Sequence, residues 1–133
     1  MATGQQGVIA SITGPAKRDL SLYQYHPMTV DTDGYIDRAD SSAGTQIVGI
    51  LQNAPEAAGA EAEVAILGTS LCVVNATTDI SQMDKLGSGN DYHGVTVTAD
   101  KALYFAFALE DATEDGDVIE VLLFGGTRTI SAT

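Results

Sequence analysis

Short runs in which apolar and polar residues alternate recur along the chain. They fall at Met28–Val30, Tyr35–Ile36, Ile47–Leu51, Val64–Leu67, Leu71–Val74, Val95–Val97, Leu103–Leu109 and Ile119–Phe124. A period of two puts successive side chains on opposite faces of an extended chain, so each run predicts a strand. Between them lie TDG, SSAG, GSGN, YHG and EDGD, built from the residues that tight turns need. No window keeps apolar residues at i, i+3, i+4 and i+7 through three turns, although DISQMDKL has room for one short helical turn. Many short strands at this spacing predict an all-β sandwich or barrel.

Two stretches echo each other, GILQNAPEAAGAEAEVAILG at 49 to 68 and ALEDATEDGDVIEVLLFG at 108 to 125. Gln52, Asn53 and Ala54 fall on Glu110, Asp111 and Ala112. After a one-residue gap, Gly59 falls on Gly116, Glu63 on Glu120, Val64 on Val121 and Gly68 on Gly125. A spacing of about 57 residues predicts two related supersecondary units. The echo also decides a local ambiguity. APEAAGAEAEVAIL has the Ala and Glu content of a helix, but its partner DGDVIEVLLF is β-branched and starts at an Asp-Gly turn. Both segments therefore predict strand, turn, strand, with Asn53, Pro55 and Gly59 forming one corner and Asp115, Gly116 and Asp117 the other. Ile119, Val121 and Leu123 face inward, as do Ala62, Val64 and Ile66.

Residues 1–18 differ from the rest. Gly4, Gly7, Gly14 and Pro15 interrupt a thin apolar set of Val8, Ile9 and Ile12, and Lys17 and Arg18 follow. This segment reads as a frayed terminus or as an arm whose Val-Ile run pairs with a partner's strand edge. The division is thus an arm at 1–18 and a single domain at 19–133. The TRTISAT tail supplies a closing strand or a second arm.

At 133 residues the chain has the size of one domain and can bury roughly two-thirds of its unfolded surface without a metal or disulfide staple. Its net charge of −12, from 6 basic and 18 acidic residues, leaves no basic patch for phosphates or an anionic membrane. Nucleic acid and membrane are therefore not expected partners. The lone Cys72, in the apolar SLCVVN, predicts a buried thiol. The start has no positive n-region, and no run reaches the roughly 20 apolar residues of a membrane helix.

Six of the eleven residues from Glu110 to Glu120 are acidic, which raises the question of calcium. With Gly116 at position 6 of a calcium loop, position 12 is Leu122 instead of the closing Glu; VDTDGYIDRAD fails in the same way. The shared feature is a turn, with its carboxylates expected to face water. His26 in QYHP and His93 in NDYHG read as loop or edge residues without zinc-site spacing. No nucleophile elbow, H-E-x-x-H or P-loop occurs, so neither an enzyme nor a cofactor is expected. Tyr23 and Tyr25, two apart, would share one side of an extended strand. In ALYFAFAL, Phe105 and Phe107 read as core, with Tyr104 on the opposite face beside Ala106 and Ala108. That face is a candidate subunit interface if nothing within the monomer covers it.

The run DLSLYQYHPMTVDTDGYI, followed by GTQIVGILQNAPEAAGAEAEVAILGTS and FALEDATEDGDVIEVLLFG, resembles the head decoration (capsid cement) proteins of tailed bacteriophages. Gly49, Leu51, Gln52, Asn53, Pro55, Gly59, Ala62, Val64 and Gly68 fill that family's central motif. Ala108, Leu109, Glu110, Ala112, Asp115, Gly116, Asp117, Ile119, Glu120 and Val121 fill its closing one. The resemblance spans about residues 19 to 125. It departs at YFAFALE, where the family often has a glycine, and at GSGNDYHGV.

The resemblance implies a compact β-barrel or β-tulip-like domain with an extended N-terminal arm, commonly a homotrimer. It implies a structural protein made in the bacterial host cytoplasm that ends on the outer surface of the phage head. There it would bind the major capsid protein and cement the shell at capsomer junctions. Val8, Ile9, Ile12, Lys17, Arg18, Tyr23, Tyr25 and Tyr104 are the expected capsid or subunit contacts. The alternatives are a tail or fibre accessory protein, or a small β-sandwich module that binds a ligand or glycan.

Overall fold

A computed structural model of the chain describes residues 7–42 and 45–131. Among these residues there is no helix. Nine strands form one sheet: β1 (Val8–Pro15), β2 (Pro27–Val30), β3 (Ile36–Arg38), β4 (Gly49–Leu51), β5 (Glu61–Val73), β6 (Lys85–Ser88), β7 (Gly94–Thr96), β8 (Leu103–Ala108) and β9 (Val118–Thr129). The spatial order is β3-β2-β4-β5-β9-β8-β6-β7, with β1 antiparallel to β5. The sheet curls strongly into a half-barrel. The fold is all-β, as the alternation predicts.

The echo extends to the whole pairing scheme. β2 and β3 pair with Met28 opposite Arg38, and β6 and β7 pair with Leu86 opposite Thr96, each residue 58 positions on. In the hairpins, Ile50 lies opposite Ala65 and Leu51 opposite Val64; Phe107 lies opposite Leu122 and Ala108 opposite Val121, each 57 on. Two parallel bridges, Ala16 to Ile36 and Val74 to Gly94, repeat as well. The chain is thus two copies of one four-strand unit, β1–β4 and β5–β8, and β9 completes the second hairpin.

Each copy has a core at corresponding positions. Met28, Leu51 and Val64 lie in the smaller buried cluster, while Leu86, Ala108 and Val121 lie in the larger. The hairpins match without the gap inferred from sequence. Glu63 N–H donates to Asn53 Oδ1 at 3.0 Å, and Glu120 N–H donates to Glu110 Oε2 at 2.7 Å, so Asn53 corresponds to Glu110 and not Asp111. The side-chain likeness of QNA and EDA drew the alignment one residue out of phase. Backbone pairing sets the phase, because a slip of one would turn every side chain to the wrong face.

Other expectations change. Residues 8–15, placed in an arm by sequence, form β1 along β5, with Pro15 opposite Glu61 and Val8 opposite Gly68. Ala16 is fully buried, and Ile12 packs on the smaller cluster. A strand edge of the same chain is the partner there; residues 1–6 and 132–133 lie outside the described residues. Val64–Leu67 and all but the last residue of Leu71–Val74 belong to one strand, β5. β6 was hidden in a Gly-rich stretch. Gly87 is needed there, because a Cβ would sit 2.7 Å from the carbonyl of Leu103.

Candidate functional site

The outward face of the sheet carries an apolar band. On β9 the inward Ile119, Val121 and Leu123 are buried, and Leu122 and Phe124 turn outward. Phe124 pairs with Leu67 of β5, and Leu122 pairs with Phe107 of β8. Beside Leu67 runs the start of β1, where Ile9 is 75% exposed and Val8 is also exposed. Apolar side chains on a strongly acidic chain need a reason to face water.

Tyr104 and Phe107 share this face, contrary to the parity expected from sequence. A register shift between Tyr104 and Ala106, where the single residue Phe105 of β8 spans four residues of β9 from Phe124 to Thr127, breaks the alternation of β8. Phe105 and Ala106 are buried in the larger core, and Phe107 turns out to meet Tyr104 and Phe124, with ring centroids 5.9 and 5.4 Å away. Tyr104 is itself covered, at 8% exposure. Lys85 Nζ lies 5.6 Å from its ring centroid, and the Arg128 guanidinium lies 4.2 Å from that of Phe124. The end of the band is therefore aromatic and cationic, in geometry suited to cation–π attraction.

The other expected contact residues are elsewhere. Lys17 Nζ donates to Asp31 Oδ2 at 2.8 Å, and Arg18 forks onto both oxygens of Asp37 at 2.8 and 2.9 Å. The Asp31 hydrogen bond, then its charge, raises the Lys17 pKa. Tyr23 and Tyr25 lie in a bent segment, not a strand, and diverge. Tyr23 packs on the smaller core and under Arg38, while Tyr25, at φ +67°, packs on the larger core.

The acidic turn does not simply face water. Asp117 Oδ2 accepts from the Thr113 and Glu114 amides, and Asp111 Oδ1 accepts from Gln82 N–H at 2.8 Å. These carboxylates satisfy loop amides that no strand partner reaches. Asp115 instead meets His93 Nδ1 at 2.8 Å, and Asp91 Oδ2 lies 3.4 Å from the same nitrogen. Burial pushes the Asp91 carboxyl up, but hydrogen bonds from Asn75 and the His93 amide outweigh it and hold it below the usual range. His26, expected at an edge, is buried with its ring centroid 5.1 Å from that of His93, and desolvation lowers its pKa. No single motif could reveal this corner, since its members come from different turns.

The chain matches the phage cement protein family model over residues 25–123. It belongs to that family. This phage cement protein is a structural virion component of the phage head. Its fold is similar to that of a solved structure, the head fiber gp8.5 N base in bacteriophage phi29. The TM-score is 0.55 and the identity 22%, over 86% of this chain and 93% of that one. No curated protein matches the sequence. The cement protein's matched segment contains both repeated hairpins, and β1 precedes it.

Proposed function

We propose that the protein binds the outer surface of the assembled phage head through the apolar band, as a homotrimer, and cements capsomer junctions against the major capsid protein. The observation that carries this reading is the run of outward apolar residues Leu67, Phe124, Leu122 and Phe107 across β5, β9 and β8, with Tyr104 packed on it and exposed Val8 and Ile9 at the start of the neighbouring β1. A protein that binds the expanded lattice but not free coat subunits stabilises the lattice by mass action. Three linked copies would raise the effective concentration of each weak contact. The acidic remainder keeps the unbound protein soluble. A glycan-binding reading has less support. One surface cleft, of about 270 Å³, is lined by Asp40, Ser42, Ser88, Lys101 and neighbours, with no aromatic ring for a sugar to stack on.

The test uses purified expanded capsids. Deleting 1–18 is unsuitable, because it would bare the edge of β5 that β1 covers and remove Ala16 and Ile12 from the smaller core. Ile9→Asp and Leu122→Asp place charge on the band and leave the buried faces intact. Both should abolish co-sedimentation with shells while the chain stays folded. Unchanged binding by the double variant would remove the band from the interface, and a native chain that ignores shells would refute the function. Light scattering should give three times the chain mass, and particle images should place the density at capsomer junctions and not on the tail.

A further inference from the structure

The two repeats can be compared corner by corner. Gly34 N–H donates to Asp31 O and Asp31 N–H to Tyr35 O in the first; Tyr92 N–H donates to Gly89 O and Gly89 N–H to His93 O in the second. His93 therefore stands where Tyr35 stands, and Asp91 where Asp33 stands. Lys17 N–H donates to Ile36 O and Asn75 N–H to Gly94 O, so Asn75 stands where Lys17 stands. Asp115, just before Gly116, takes the place of Ala58, just before Gly59.

In the first repeat this corner carries its own cation. The Lys17 ammonium is held by Asp31 and lies 5.4 Å from the centroid of the Tyr35 ring. In the second repeat the lysine has become an amide and the phenol an imidazole, and a carboxylate has been added. The corner has gained metal-ligand chemistry and lost its positive charge. The three ligand atoms, one each from Asp91, His93 and Asp115, all lie within 4.8 Å of one another. The His93 Nδ1 contacts of 2.8 and 3.4 Å bracket the separation of about 3.3 Å that bonds of about 2.0 Å to a tetrahedral ion require.

We propose that Asp91, His93 and Asp115 bind one divalent transition-metal ion, of the zinc class, in the place that Lys17 fills in the first repeat. An imidazole with two carboxylates suits zinc, cobalt or nickel better than calcium, which takes six to eight oxygens. Asn75 Nδ2 donates to Asp91 Oδ2 at 2.8 Å and so orients that carboxylate, while the Asp91 oxygens remain partly open to solvent. A fourth position is left for water. The ion would tie the β6–β7 turn to the β8–β9 turn and raise stability without being needed for folding.

Full-length protein, free of affinity tags and treated with EDTA, is titrated with zinc chloride by calorimetry at neutral pH and then melted with and without the ion. The expected result is one site per chain and a higher Tm with zinc. His93→Ala and Asp115→Asn should each weaken binding about tenfold or more, while Asp33→Asn, in the matching turn of the first repeat, leaves it unchanged. Asp115→Asn lies in an exposed turn, so it separates ligand loss from misfolding. Absence of a saturable one-to-one site would overturn the proposal and leave a His93–carboxylate hydrogen bond, as would binding that survives both substitutions.

Discussion

Gly59 and Gly116 occupy the same left-handed position in two copies of one hairpin, at φ +87° and +92°. The Gly59 amide donates to Ala16 O and the Gly116 amide to Val74 O, each at 2.8 Å, so the corners are tied to the sheet by the same bond. A Cβ at either site would meet nothing within 4 Å. The cost of a side chain there is backbone strain alone. Gly59→Ala and Gly116→Ala should each lose about 1–2 kcal/mol in urea unfolding, and the double variant should lose the sum. A clearly unequal pair would contradict the equivalence of the repeats.

Gly49 is constrained by contact instead. Its Cβ would lie 1.9 Å from the Ala65 carbonyl oxygen, a backbone atom of the adjoining strand. Gly49→Ala should therefore disrupt the β4–β5 pairing and yield little soluble folded protein. The counterpart in the second repeat, Ala106, carries a methyl in the larger core. Normal expression and an unshifted Tm for Gly49→Ala would show that β4 can move aside.

Asn53 uses both ends of its amide. Its Nδ2 donates to Glu61 O at 2.9 Å, and its Oδ1 accepts from Glu63 N–H at 3.0 Å. Asn53→Ala should cost about 1–3 kcal/mol, because loop polar groups lose their partners. Asn53→Asp keeps the acceptor but sets a carboxylate against a carbonyl, so it should also destabilise.

Cys72 is fully buried, and desolvation pushes its thiol pKa up to about 12. The thiolate is the reactive form, so an aromatic disulfide reagent at pH 8 should leave the folded protein unlabelled. In urea one thiol per chain should react. Rapid labelling without denaturant would mean that β5 opens readily.

Much of the fold could be read from the sequence. Alternation at Ile119–Phe124 fixed which side chains point inward, since strand parity is local, and Asp115-Gly116 marked a corner because only a few residues tolerate positive φ. The 57-residue echo predicted two like hairpins, and the motif residues Gly49, Gly59 and Gly116 carried the resemblance to the cement proteins. Partners distant in the chain were another matter. The register shift that turns Phe107 outward beside Tyr104, the docking of β1 on β5, and the meeting of His93 with Asp115 all depend on how strands lie against one another. A local pattern records which face a residue takes, but it holds no information on what stands opposite; that is set when the curled sheet closes over its two cores.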